Sequence, residues 1–269
     1  MSENQSRLTS FIICFLPLLF LISIDSFALY LEGISNAISH FSLAVFCAQF
    51  LVVLVCYKGE LCNGQRSRLI NVNNYFLIYW LFWLIISLFS NYHYVLTDMI
   101  CLCGIGSTLA IYFQSGEYQS RRSILFFAIL FIALGLFVCA FVFWQLPWVA
   151  LLSYSPFVQL LLGIIMANLV LVISNSRLHI FMSLLPLMMI IGLFLSSVFS
   201  VLLIYLAIKN EVFFSNQLAL LLYFLLHLVL VIIIAIPIMT KSKFSYQTLL
   251  LAFFITLSLP VWANFSFLP

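Results

Sequence analysis

Apolar runs of about 20 residues recur along the whole chain and are separated by short polar breaks. A helix needs roughly 20 such residues to cross about 30 Å of hydrocarbon, and its backbone must satisfy its own hydrogen bonds there. The pattern therefore predicts an all-α, polytopic transmembrane helical bundle of about nine helices. The predicted spans cover residues 8–30, 34–57, 75–92, 95–113, 124–144, 148–174, 180–208, 218–239 and 246–265.

The composition agrees with a lipid environment. Hydrophobic residues make up 66% of the chain and charged residues 6%, with a mean hydropathy of +1.26. No soluble fold has enough interior to bury that apolar excess. The longest stretch without an apolar run, residues 58–74, is too short to form a core of its own. We therefore predict a single transmembrane domain over residues 1–269, with no soluble domain.

The distribution of cations predicts the orientation of the bundle. Loops on the cytoplasmic side of a membrane are enriched in Lys and Arg. An N-terminus in the cytoplasm places every Lys and Arg except Lys209 on that side, and nine spans then place the C-terminus outside. The composition of the loops favours a bacterial cytoplasmic (inner) membrane. The cytoplasmic cations in this topology are Arg7, Lys58, Arg66, Arg68, Arg121, Arg122, Arg177, Lys241 and Lys243.

The first span has a second interpretation. Ser26, Phe27 and Ala28 form a small-x-small sequence after an apolar run, as at the cleavage site of a signal peptide. Cleavage would leave eight helices with both ends outside. The run is longer than a usual signal segment, and Pro17 and Asp25 interrupt it, which favours an uncleaved helix.

A few ionisable residues fall within or beside the predicted spans, where they are costly and often functional. The topology brings Asp25, His40, His93 and Asp98 to the outer side, together with Glu32. Two interpretations stay open. The residues form a carboxylate and imidazole cluster that binds a divalent cation or relays protons, or each is solvated separately at the membrane surface.

His227 lies near the middle of the eighth predicted span, one helical turn after Tyr223. Its imidazole either forms a hydrogen bond between helices or belongs to a ligand or proton path. Small residues at four-residue spacing, such as Gly163 with Ala167 and Gly192 with Ser196, predict close helix packing. No pair of Gly- or Pro-broken spans stands at matching positions in the two halves of the chain.

The sequence carries no motif that assigns a catalytic, cofactor-binding or metal-binding residue. The sequence has no G-x-S-x-G, H-E-x-x-H or phosphate-binding glycine motif. Its cations form no continuous basic face, so nucleic acid is not an expected partner. The expected partners are the lipid bilayer and other membrane subunits, with a small-molecule substrate that the residues do not identify.

These observations favour a non-enzymatic membrane component, either a small permease or the membrane subunit of a transport or export system. Two alternatives stay open. One is an intramembrane enzyme that acts on a lipid or lipid-linked substrate, with Asp25, Asp98 and the outer histidines as acid, base or metal ligands. The other is a structural or assembly partner of a second protein.

Overall fold

A computed structural model describes residues 3–32, 36–59, 61–90, 93–115, 117–175, 179–240 and 242–268. These ranges contain ten α-helices, one short 3-10 helix and no strand, so the prediction of an all-α bundle is confirmed. The helices are α1 (Glu3–Glu32), α2 (Ser42–Lys58), α3 (Asn63–Asn73), α4 (Tyr75–Phe89), α5 (Val95–Tyr112), α6 (Tyr118–Gln145), the 3-10 helix (Trp148–Leu152), α7 (Pro156–Ile173), α8 (His179–Lys209), α9 (Gln217–Met239) and α10 (Tyr246–Phe265).

Eight of the described helical stretches are long and apolar enough to cross a membrane. Two of these stretches are composite: α3 continues into α4 through Asn74, and the 3-10 helix leads into α7. The ninth apolar helix, α2, has only 17 residues. It begins at Ser42, eight residues after the start of the predicted second span, because residues 36–41 are not helical.

The bundle has the polarity expected in lipid. Large apolar side chains on the outward faces are exposed, including Phe137 and Trp144 of α6. Many polar side chains are instead buried between helices. Gln49 of α2, for example, donates to Thr108 of α5 at 2.6 Å and accepts from the indole of Trp80 of α4. Lipid provides no partners for such groups, so they hold the helices together from within.

Helices α2 and α7 form the centre of the bundle. They pack against each other, and α7 also contacts α8 and α10. Their backbones approach closely because Gly163 of α7 has no side chain. A Cβ atom there would lie 2.6 Å from the Cβ of Cys47 and 2.7 Å from the carbonyl oxygen of Ala44, both on α2. The small-residue spacing in the sequence therefore marks a real packing face.

Charged side chains near the helix ends distinguish the two ends of the bundle. Arg68 of α3 donates to the carbonyl of Ser174 at 3.1 Å, and Arg122 of α6 donates to the hydroxyl of Tyr57 at 2.6 Å. We call this the cationic end. Glu32 lies at the opposite end, where α1 finishes, and we call that the acidic end. The cation distribution predicts that the acidic end faces outward.

The close approach at Gly163 leads to a first prediction. The substitution Gly163→Ala should lower the free energy of unfolding by about 1–3 kcal/mol, because the added methyl meets backbone and Cβ atoms of α2 that cannot rotate away. Thermal unfolding of the detergent-solubilised protein measures the change.

Gly192→Ala is the matched control. A Cβ atom at Gly192 of α8 would lie 3.4 Å from Leu161 of α7, which is ordinary contact. This variant should be as stable as the wild type or more so, since alanine favours helix over glycine. Equal losses in the two variants would contradict the close α2–α7 packing.

Candidate functional site

Two acids in the last third of the first helix, Asp25 and Glu32, lie on its buried stripe. Asp25 is fully buried, and the side chain of Glu32 is 8% exposed. Seven residues are nearly two full turns, so the two carboxylates share one face of α1, about 10 Å apart along its axis. Leu18, Leu21 and Ala28 continue the same stripe and are buried. The face that α1 turns to the bundle therefore carries two acidic groups.

The non-helical segment 36–41 brings its own polar groups to Asp25. The backbone N–H of His40 donates to Asp25 Oδ1 at 2.9 Å, and the Ser39 hydroxyl donates to Oδ2 at 2.7 Å. The Ser39 oxygen also accepts from the N–H of Phe41 at 3.0 Å. Because α2 begins at Ser42, Asp25 also lies beside the positive end of that helix, where a carboxylate is favoured.

Tyr79 of α4 completes the surroundings of Asp25 Oδ2. Its hydroxyl donates to Oδ2 at 3.2 Å and lies within hydrogen-bond distance of the Ser39 hydroxyl. The ring of Tyr79 is fully buried. Asp25 of α1 is therefore held by groups from α4 and from the segment before α2, and its two oxygens face different neighbours.

The imidazole of His40 lies between the two carboxylates. Its Nδ1 is 3.4 Å from Asp25 Oδ1, and its Nε2 is 3.1 Å from Glu32 Oε2. Both are ion-pair distances without the alignment of an N–H···O hydrogen bond. An imidazole can accept a proton on one nitrogen and release another from the second nitrogen. Asp25, His40 and Glu32 therefore form an acid–imidazole–acid row, which we call the Asp25 cluster.

Residues just before α7 contact the Glu32 end of this row. The Tyr154 hydroxyl donates to Glu32 Oε2 at 2.7 Å, and the Ser153 hydroxyl donates to Oε1 at 3.4 Å. The Tyr154 ring also stacks on the imidazole of His40, with centroids 4.1 Å apart and planes 11° apart. The residues just before α7 therefore contact two members of the Asp25 cluster.

The cluster holds two carboxyl groups and only one imidazole in a site removed from bulk water. Buried charge of this kind is costly, and hydrogen bonds or an added proton relieve the cost. Among the described residues, no group of three or more His, Cys, Asp and Glu side chains has the geometry to hold a metal ion.

His93 and Asp98 form a separate pair nearer the surface. His93 Nε2 lies 2.7 Å from Asp98 Oδ2, and the two side chains are 47% and 16% exposed. In the part of the chain that the structure describes, no hydrogen bond or ion pair joins this pair to Asp25, His40 or Glu32. The acidic end therefore holds two acid–imidazole groups, one buried and one partly solvated.

His227 lies apart from both groups, on α9. Its Nδ1 is 2.9 Å from the carbonyl oxygen of Tyr223, to which a protonated nitrogen would donate. The hydroxyl of Tyr223 is 2.8 Å from that of Ser200 on α8, which links the two helices. His227 Nε2 is buried and has no hydrogen-bond partner. The described contacts connect His227 to the backbone of its own helix and not to the Asp25 cluster.

Four hydroxyl residues of the site are not predictable from the sequence: Ser39, Tyr79, Ser153 and Tyr154. The sequence does not distinguish them from the chain's other Ser and Tyr residues. For Glu32, which the sequence places with the outer acids, the i, i+7 spacing from Asp25 indicates a shared helix face. No comparable spacing points to the four hydroxyl residues.

Comparisons with known proteins agree with the membrane architecture. A family sequence model described as an integral membrane domain matches residues 4–265. The chain belongs to this integral membrane family. An uncharacterised protein of Haemophilus influenzae is 36% identical over 266 residues, which cover 98% of this chain and 100% of the relative. No solved structure matches the chain. Like other multi-pass members of the membrane proteome, this family member presents its apolar outer surface to the lipid bilayer.

The contacts of Asp25 lead to a second prediction. Asp25→Asn should lower the free energy of unfolding by about 2–4 kcal/mol. Three donors bind the two carboxylate oxygens of Asp25, whereas the asparagine amide has one oxygen and would leave at least one buried donor unpaired. Asp98→Asn is the matched control. It should cost less than about 1 kcal/mol, because its histidine partner is about half exposed and water can replace the lost ion pair.

Thermal unfolding in detergent compares these two variants with the wild type. An Asp25→Asn protein as stable as Asp98→Asn would show that the three hydrogen bonds do not anchor the segment before α2.

Proposed function

We propose that this protein is a small permease, or the membrane subunit of a transport or export system, and that its transport is coupled to protons. The observation that carries the proposal is the Asp25 cluster, a buried row of two acids and an imidazole within the helical bundle. Ionisable groups in the interior of membrane proteins mark ion and proton pathways. The bacterial inner membrane, which maintains a proton gradient, is the proposed location.

The two central helices support the same proposal. Residues 36–41 precede α2 and residues 153–155 precede α7, and most of these residues are buried without forming α-helix. Non-helical backbone at membrane depth is tolerated where protein covers it or where it lines a cavity. Transporters use such interrupted helices to place ion sites near helix ends. Here both interruptions meet at the cluster, through His40 and Tyr154.

A coupling mechanism follows from these contacts. Tyr154 touches both Glu32 and His40, so protonation of the row changes the interactions that hold the start of α7. Loss of the Glu32 charge weakens the hydrogen bond from Tyr154, since bonds to ionised acceptors are the stronger ones. The proton therefore has a direct contact through which it biases the position of a central helix.

Reconstituted vesicles that contain a pH-sensitive dye test this function. A panel of sugars, amino acids, nucleosides, organic acids and metal ions is added outside, and internal pH and solute uptake are followed together. At least one solute should enter together with a change in internal pH. Identical fluxes in protein-containing and protein-free vesicles across the panel would contradict the proposal.

Two histidine variants give a third prediction. His40→Gln should reduce the solute-dependent pH change at least about tenfold, because glutamine cannot exchange protons between the two acids. His93→Gln removes an imidazole from the other acid–imidazole pair and should leave the pH change close to that of the wild type. Equal effects of the two substitutions would argue against the cluster as the coupling site.

One observation favours a second candidate function, an enzyme that acts on a lipid or lipid-linked substrate. An apolar cavity of about 50 Å³ lies between α1, α4, α7 and α10, and its lining includes Leu21, one turn from Asp25. An acyl chain suits such a lining. If this candidate is right, His40→Gln abolishes conversion of a lipid in membranes, and no solute crosses vesicles containing the wild type. Co-purification of a second protein in fixed stoichiometry would instead favour an assembly role.

A further inference from the structure

Two neighbouring cavities lie on one side of the Asp25 cluster. The larger, which we call the outer cavity, has a volume of about 380 Å³ and lies at the acidic end. Its polar lining residues are Asn36, Tyr94 and Gln145, and a hydrogen bond joins the Tyr94 hydroxyl to the Gln145 side chain. A space of this size and polarity accommodates several water molecules.

The smaller cavity, which we call the inner void, lies deeper in the bundle and has a volume of about 10 Å³. Ile38 and Val142 line both cavities and therefore lie between them, and we call this pair the neck. The void is close to the size that a single water molecule requires. It is adjacent to the outer cavity across the neck.

Several polar side chains line the inner void, and one of them contacts the cluster. Ser39 lines it and donates its hydroxyl to Asp25 Oδ2 at 2.7 Å. Ser42 and Thr97 also line it. Trp83 contributes an indole N–H that is buried and has no hydrogen-bond partner. A buried donor beside a void of this size is the usual setting of an internal water molecule.

From this arrangement we infer that protons reach Asp25 from the acidic end through water in the two cavities, by way of the Ser39 hydroxyl. In the final step, the Ser39 oxygen accepts a proton from a hydronium ion, which is left as water, and the proton of the Ser39 hydroxyl moves to Asp25 Oδ2. Asp25 Oδ1 lies 3.4 Å from Nδ1 of the His40 imidazole, so one carboxylate contacts the aqueous path through Oδ2 and the imidazole through Oδ1. This inference rests on the proposed proton-coupled function and specifies the side from which the proton enters.

Native cysteines provide a test that needs no transported solute. Cys101 lines the inner void, whereas Cys103, two residues along α5, does not. Two proteins are made, each keeping one of these cysteines while the other six are replaced by serine or alanine. Silver ions, which are close to water in size, are added to oriented membrane vesicles in chloride-free buffer. The remaining free thiol is measured after denaturation with a maleimide that shifts the protein on a gel.

Cys101 should react about tenfold faster than Cys103 when silver is added at the acidic end, because thiol reactivity follows exposure to water. Addition at the cationic end should give no such difference. Vesicles of opposite orientation separate the two cases. Equal rates for the two cysteines, or faster reaction of Cys101 from the cationic end, would overturn the inferred path.

Substitution at the neck is the fourth prediction. Val142→Phe in the Cys101 protein should slow silver modification about tenfold, because the larger ring fills the neck. Val138→Phe, one turn earlier on α6 and also buried, does not line either cavity and serves as the matched control. Ile38→Phe tests the opposite wall of the neck. Elution as a single peak in size exclusion confirms that each variant is folded.

Unchanged silver rates in both neck variants would refute the path between the cavities. Such a result would leave the permease proposal standing, with protons entering Asp25 elsewhere. Conversely, a vesicle panel without coupled transport would reject the permease, while silver access to Cys101 would still establish an aqueous path. The two proposals therefore fail separately.

Discussion

The hydrogen bond from the backbone N–H of His40 to Asp25 is the contact on which the centre of the bundle depends. It joins the last third of α1 to a buried segment that is not helical. A backbone group freed from a helix in this setting needs a partner within the protein. Asp25 supplies that partner, and Ser39 and Tyr79 satisfy the rest of its carboxylate. Without the acid, the segment before α2 would bury an unpaired donor.

This anchoring explains why the polar residues are concentrated inside. Large apolar side chains cover the outward faces of α6, α8 and α9, and the interior holds serine, threonine, glutamine, histidine and the two acids. In lipid, helices gain little from burying leucine against leucine, so close packing and internal hydrogen bonds determine how they associate. Glycine at 163 and the pair Gln49–Thr108 illustrate the two contributions. The Asp25 cluster adds ionisable groups to the same interior.

The sequence predicted the helical architecture well because the bilayer imposes a length on every span. Most predicted boundaries lie within a few residues of the observed helices, as at 95–113 against Val95–Tyr112. The prediction was wrong at the start of the second span. Residues 36–41 fall within the predicted span but are not helical, and hydropathy alone does not distinguish a helical apolar segment from a non-helical one. Only the three-dimensional contact with Asp25 makes the non-helical conformation favourable.

The candidate site was predictable only in part, for a related reason. Asp25 and His40 stood out because ionisable groups in apolar runs are rare. The topology placed His93 and Asp98 at the same end. Which acids face one another depends on the rotation of each helix about its axis, and the loop sequences do not reveal that rotation. The structure accordingly joins Glu32 to Asp25 and His40, and leaves His93 with Asp98. Tyr154 and Ser39 become visible only once α7 and the segment before α2 are in place.

The shortness of α2 has an electrical consequence. Its 17 residues span about 25 Å, less than the hydrocarbon core of a typical bilayer. With water admitted past Ile38 and Val142, the transmembrane voltage would fall across a thinner slab of protein than in an uninterrupted helix. Asp25 lies about 10 Å below Glu32, so a proton arriving there has traversed only a fraction of that voltage. Occupancy of the carboxylate would then respond to membrane polarisation as well as to acidity.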